Sequence, residues 1–233
     1  MIGDHRWQAV TVLGLATAYW AAALVKAVHF RRRTGLSAHP WPKPKAERLL
    51  MVAWVANILV WVGQPVAFLA GPKPWTRGDD PLAALTPVWE VPALEFAGVA
   101  LGAVALAVSV LAWAQMGDSW RLGTTKPGER TELVDRGVFG LVRHPIYAAQ
   151  GWLVAGCVLM LPTPISLALG VVHFACLYAK AAIEERHLLA EMGEPYERYR
   201  RRVGGFFPKL SGLPTAMAGL LSARPRRAGG DSP

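Results

Sequence analysis

Five apolar stretches decide what this chain can become. Residues 7–30, 49–70 and 91–115 each supply the roughly 20 predominantly apolar residues that a helix needs to cross a bilayer. Residues 147–161 and 165–182 are shorter, and Leu161-Pro162-Thr163-Pro164 stands between them. Two prolines in four residues stop one helix and reverse the chain into the next. The pattern predicts an all-α integral membrane protein of about five transmembrane helices, the last two forming a helical hairpin. Composition points the same way. Of 233 residues, 53% are apolar and only 18% charged, with a mean hydropathy of +0.27, which excludes a disordered chain and argues against an ordinary soluble domain. The first stretch is too long for a signal peptide, and only Arg6 supplies a basic residue ahead of it.

The net charge of +9 and a pI near 10 would fit a nucleic-acid partner if the basic residues formed one patch. They sort by side of the membrane instead. Arg31, Arg32, Arg33, Lys43, Lys45 and Arg48 lie between the first two spans, and Arg121, Lys126, Arg130, Arg136 and Arg143 between the third and fourth. Nine more follow the fifth, so one side holds 20 and the other only Arg6, Lys73 and Arg77. The positive-inside rule then predicts the N-terminus outside and the C-terminus in the cytoplasm. The charge reads as topology and contact with anionic lipid, and no nucleic-acid partner is expected.

Residues 1–115 form the first division, three N-terminal spans around a basic cytoplasmic loop, and their signals concern packing. Gly98-x-x-x-Gly102 and the alanine-rich stretches at 21–23 and 103–107 permit close helix approach, within one chain or between two. Asn57 and Gln64, seven residues apart on one face of the second span, read as interhelical hydrogen-bond partners. Cys157 and Cys176 sit inside apolar runs without a CxxC or a nearby His partner, so they read as small core residues and no metal site is expected. Residues 211–233, rich in Gly, Pro, Ser and Arg, read as a disordered tail.

The division 116–210 carries the chemistry. A long polar stretch with scattered Gly and Pro runs from Ser119 to Tyr147, and loops of that length are usually functional or disordered. Its apolar members Leu133, Val134, Val138, Phe139, Leu141 and Val142 argue for order. It ends in Arg143-His144-Pro145-Ile146-Tyr147 at the mouth of the fourth span. After the fifth come Glu184-Glu185, then Gly193, Tyr196, Tyr199, Val203 and Pro208. Each piece alone is common. The ordered set, with Leu133-Val134, Gly137 and Phe139 ahead of the His-Pro element and a hairpin between the halves, resembles the isoprenylcysteine carboxyl methyltransferase family and its phospholipid methyltransferase relatives.

That resemblance covers about residues 115–210 and implies a membrane enzyme that uses S-adenosylmethionine, held in a pocket on the cytoplasmic side at the ends of the last two spans. By position it implies cofactor contacts at Thr124, Thr131, Glu132, Leu133, Val134, Phe139, His144, Pro145, Ile146, Tyr147 and Glu184. It assigns catalytic roles to His144, Tyr147 and Lys180. Lys180, four residues before Glu184, occupies the place of the family's substrate-binding arginine.

The residue types suit such a cofactor on their own chemistry. Aromatic faces at Tyr147 and Phe139 attract a sulfonium. A carboxylate such as Glu184 accepts from amino or ribose hydroxyl groups, and His144 donates to a carboxylate or to adenine. Methyl transfer is an in-line displacement, so alignment supplies most of the rate gain. A carboxylate acceptor needs no base, whereas a thiol or amine acceptor would, with His144 the nearest candidate. Plainer readings stand beside these. His144 is a helix-start residue, Tyr147 a membrane-interface aromatic, and Glu184-Glu185 the start of a solvated amphipathic helix. Lys180 is a snorkelling cation, and His173 on the same face an interhelical bonding partner.

The sequence therefore predicts a multi-pass membrane methyltransferase acting on a lipophilic small molecule, most readily the carboxyl of a lipid or isoprenoid-type acid. S- or N-methylation is the nearest alternative. A nicotinamide-dependent reductase on a related scaffold is more remote, because no Gly-x-Gly-x-x-Gly occurs. A non-catalytic membrane protein would not require His144, Tyr147 and Glu184 together.

Overall fold

The computed structural model describes residues 6–35, 44–70, 87–117 and 133–209. Seven helices are present among them: α1 (Arg6–Thr34), α2 (Lys45–Ala70), α3 (Pro92–Met116), the single turn α4 (Val138–Leu141), α5 (Pro145–Met160), α6 (Pro164–Met192) and α7 (Glu194–Arg202). Four of them, α1, α2, α3 and α6, are long and apolar enough to cross a membrane. The fifth, α5, has 16 residues and spans about 24 Å at 1.5 Å per residue, short of the ~30 Å hydrocarbon core. The expected tail at 211–233 lies outside the described residues.

The hairpin forms where the prolines predict it. Pro164 opens α6 at a position whose N–H would be unpaired in any case. Thr163 caps the helix in a reciprocal box, the Ser166 amide donating to Thr163 Oγ1 at 3.1 Å and the Thr163 amide to Ser166 Oγ at 2.8 Å. One boundary differs from expectation. No break separates the last span from Glu184-Glu185: α6 runs unbroken to Met192, because no Gly or Pro intervenes before Gly193. Gly193, at φ +59° and ψ −128°, takes a positive-φ conformation that residues with side chains rarely adopt, and it ends α6 and starts α7.

Small residues set the packing of α3 on α5, the most intimate helix pair. A methyl group on Gly98 would stand 2.5 Å from the Gly156 carbonyl, and one on Gly156 would stand 2.6 Å from that of Gly98. One on Gly102 would meet Leu15 of α1 at 2.6 Å. The Gly98-x-x-x-Gly102 element thus serves contacts within one chain.

Polar groups set the packing of α2 on α6. Gln64 Nε2 donates to Thr163 Oγ1, Asn57 Nδ2 donates to the Leu169 carbonyl at 3.1 Å, and Asn57 Oδ1 lies 2.9 Å from His173 Nδ1. The seam runs on to Lys180 over the Trp54 ring and to His187 3.7 Å from Glu47, so the two helices pair antiparallel along their length. Buried amides in this role fit a setting where water is absent and every polar group needs a protein partner. Large apolar side chains such as Leu24, Val25, Leu59, Phe96 and Val171 face outward, the arrangement of a protein solvated by lipid.

Candidate active site

The ends of α5 and α6, α7 and the segment after it meet around the His-Pro element. His144 takes the position before the first turn of α5, where Pro145 begins the helix. A residue before proline avoids the helical region, and His144 sits at φ −120°, ψ 59°. Its backbone is held from the C-terminal side. The Arg143 amide donates to the Gly204 carbonyl at 2.7 Å and the His144 amide to that of Gly205 at 3.1 Å, beside a parallel bridge between Val142 and Gly204.

The side chains converge on α6. His144 is only 5% exposed. Its Nε2 lies 2.9 Å from Glu185 Oε1, and its Nδ1 lies 3.9 Å from Glu184 Oε2. Arg143 grips the same Glu185 oxygen with Nε at 3.0 Å and Nη2 at 2.6 Å. The Tyr147 ring lies 5.8 Å from the His144 ring in a stacked arrangement, and its hydroxyl faces the Glu184 carboxylate. Phe206 closes another side, 5.9 Å from His144. The result is a histidine between two carboxylates, walled by aromatic rings at one end of the bundle.

Lys180 lies one turn before Glu184 on α6, near enough for the two charges to attract. It is 9% exposed, and its Nζ stands 4.2 Å above the centre of the Trp54 ring. No carboxylate among the described residues comes within salt-bridge distance of it. The site thus offers a cation recessed into the bundle, followed one turn later by carboxylates. An anionic group and a donor-rich group have complementary places along one helix.

The preceding loop is built by a different logic. Phe139 and Val138 pack in an apolar cluster with Ala112, and Val134, Met116 and Ile146 flank them. The aromatic faces around His144 come instead from Tyr147 and Phe206. Leu133 packs against Tyr196, Tyr199 and Val203, and Pro145 is fully buried. The Tyr199 hydroxyl donates to the Phe139 carbonyl at 2.7 Å, and burial pushes that phenol above its ordinary range, keeping it a donor. Gly137, at φ +61°, admits the Gln115 side chain, whose Oε1 accepts from the Val138 amide at 3.0 Å. Thr124, Thr131 and Glu132 lie outside the described residues.

Of the residues singled out from the sequence, His144, Tyr147 and Glu184 come together, with Lys180 a turn away. Arg143 and Glu185 belong to the same cluster. They stood in the motif without a role, and the only signal for them was their adjacency to His144 and Glu184. Among the described residues no group of three or more His, Cys, Asp or Glu could hold a metal ion. Asn57 and Gln64 are the interhelical partners expected of them, and His173 bonds to Asn57.

Fold and site together define an all-α, multi-pass membrane protein with a histidine–carboxylate cluster at one end of its helices. Residues 94–194 match the family model described as phospholipid methyltransferase, and nearly all of α3, the hairpin and the His144–Glu184 cluster fall within that matched stretch. This is the group that the motifs resemble. The chain is also similar to the nickel-cobalt-cadmium resistance protein NccN of Alcaligenes xylosoxydans xylosoxydans, 33% identical over 81 residues. That stretch is 35% of this chain and spans 38% of the length of NccN.

Proposed function

We propose that this chain transfers a methyl group from S-adenosylmethionine to a lipophilic acceptor, most readily the carboxylate of a lipid or isoprenoid-type acid. The convergence of His144, Tyr147 and Glu184 inside the stretch that matches the phospholipid methyltransferase model carries the reading. The donor set fits the cofactor. Glu184, with 39% of its side chain exposed, is free to accept from ammonium or hydroxyl groups, and His144 and Tyr147 offer a ring edge and an aromatic face. When bound, S-adenosylmethionine supplies a methyl group activated by a sulfonium. Glu184, His144, Pro145, Ile146 and Tyr147 form the cofactor side. Thr124, Thr131, Glu132, Leu133, Val134 and Phe139 complete it from the preceding loop by resemblance.

Lys180 favours the carboxylate. A recessed ammonium with no carboxylate among the described residues in salt-bridge reach is costly to keep in an apolar span, and an anionic acceptor would repay that cost. It would orient the acceptor, and no general base is needed because the acid is already ionised. The acceptor enters from the bilayer, and the 20-to-3 basic split puts the site at the cytoplasmic face with the N-terminus outside.

Binding of radiolabelled S-adenosylmethionine to the detergent-purified chain tests the core of the proposal. Saturable binding, displaced by S-adenosylhomocysteine, is expected. Its absence, or displacement by a nicotinamide dinucleotide instead, would refute it.

A further inference from the structure

Glu184 and Glu185 are neighbours in sequence, and the fold uses them differently. Adjacent residues of a helix point about 100° apart, which lets the pair address opposite nitrogens of one imidazole. Glu185 is committed through one oxygen. Its Oε1 accepts from Arg143 Nε and Nη2 and sits 2.9 Å from His144 Nε2. The remaining arm of Arg143 donates to the carbonyls of Arg200 and Val203, so the C-terminal segment holds the guanidinium that holds Glu185. Glu184 is the looser partner, with Oε2 3.9 Å from His144 Nδ1, the Tyr147 hydroxyl facing it and Lys180 one turn away.

A carboxylate only accepts hydrogen bonds, so the contact to Glu185 requires a proton on Nε2. A neutral imidazole has one such proton, and Nδ1 is then left with its lone pair. Glu184 is also an acceptor. At 3.9 Å the two stand too far apart to bond to one another, and a donor between them would satisfy both.

We propose that Glu185, pinned by Arg143, is a positioning residue that fixes His144 as its Nε2–H tautomer, so that Nδ1 and the Glu184 carboxylate form a two-acceptor seat for an ammonium or hydroxyl group. The tautomer follows from the protein's own contacts. The identity of the donor rests on the methyltransferase reading, under which it is the amino group or a ribose hydroxyl of the cofactor.

The full chain, labelled with ¹⁵N-histidine and held in detergent at about pH 8, above the usual histidine range, permits a direct test by long-range ¹H–¹⁵N correlation. The His144 signal is assigned by its loss in His144→Gln. A protonated Nε2 and an unprotonated Nδ1 are expected, and the opposite tautomer in the wild-type chain overturns the proposal without any variant. Glu185→Gln keeps an acceptor oxygen and should keep the tautomer. Glu185→Ala should give a mixture of tautomers and weaken S-adenosylhomocysteine binding about tenfold, the weight of one charged hydrogen bond. A single Nε2–H form persisting in Glu185→Ala overturns the role of Glu185. S-adenosylhomocysteine should move the wild-type Nδ1 resonance as that nitrogen accepts a bond. Binding seen by calorimetry with an unmoved Nδ1 removes the seat. No binding at all removes the cofactor reading, while the spectrum still decides the tautomer.

Discussion

Replacing Lys180 with Met separates a catalytic cation from a structural one, because the two roles predict opposite signs. Methionine keeps most of the apolar stem and removes the ammonium that sits 4.2 Å above the Trp54 ring. The folded state loses a cation–π contact worth about 0.5–2 kcal/mol. It also sheds the penalty of holding a desolvated charge that has no salt-bridge partner among the described residues, roughly several kcal/mol. The balance is neutral or favourable, so thermal unfolding in detergent should occur at the same temperature or higher. Catalysis should move the other way. Losing a charged hydrogen bond to an acceptor carboxylate costs about 1.5–3 kcal/mol, or roughly ten- to a hundredfold in kcat/KM. Transfer of a tritiated methyl group from S-adenosylmethionine to a lipophilic acid, followed against acid concentration, provides the kinetic readout, with calorimetry confirming unchanged cofactor affinity. A variant that is destabilised yet keeps its kcat/KM would show that Lys180 serves the fold and refute its placement on the acceptor.

On the cofactor side, Glu184→Gln and Tyr147→Ala should each weaken S-adenosylmethionine binding by about ten- to a hundredfold in calorimetry, since one loses a charged acceptor and the other an aromatic wall. Unchanged affinity in both folded variants would move the pocket elsewhere. With a carboxylic acceptor of pKa about 4–5, the rate should stay flat between about pH 6.5 and 8.5 once corrected for cofactor binding. A tenfold rise per pH unit would indicate a thiol or amine acceptor that must first lose its proton. Cysteines placed at the exposed positions Arg136 and Val88 should label from opposite sides of intact cells, Val88 from outside. External labelling at Arg136 would invert the topology. Gly156→Val should lower the unfolding temperature markedly, because even its first carbon would stand 2.6 Å from the Gly98 carbonyl, and overpacking of this kind costs about 1–3 kcal/mol.

The spans were legible because lipid leaves the backbone few options, and hydropathy reports that restriction directly. Asn57 and Gln64 were legible for the same reason: an amide in an apolar span must find a partner across the interface. The continuity of α6 through Glu184-Glu185 was harder to see, since a drop in hydropathy marks the membrane boundary and leaves the helix itself intact. The grouping of His144, Tyr147 and Glu184 was legible through the ordered motif resemblance, which their chemistry suits, and the fold brings the three together. The contacts of Arg143 were not, because they run to carbonyls at Arg200 and Val203, 57 and 60 residues further along the chain. Phe139 likewise has contacts that residue type does not announce: its ring packs against Ala112 and its carbonyl anchors Tyr199.

The dependence on that late segment has a consequence for biogenesis. Among the described residues, every helix long and apolar enough to cross a membrane is synthesised before Gly204 and Gly205, whose carbonyls receive the amides of Arg143 and His144. A nascent chain can therefore insert its helices and close the α3–α5 and α2–α6 contacts while the histidine element still lacks its backbone acceptors. Insertion of the helices does not need Gly204 and Gly205, whereas the backbone bonds of the histidine element do. A chain cut just after Met192 would keep its membrane-crossing helices yet leave Arg143 without the carbonyls that aim it at Glu185.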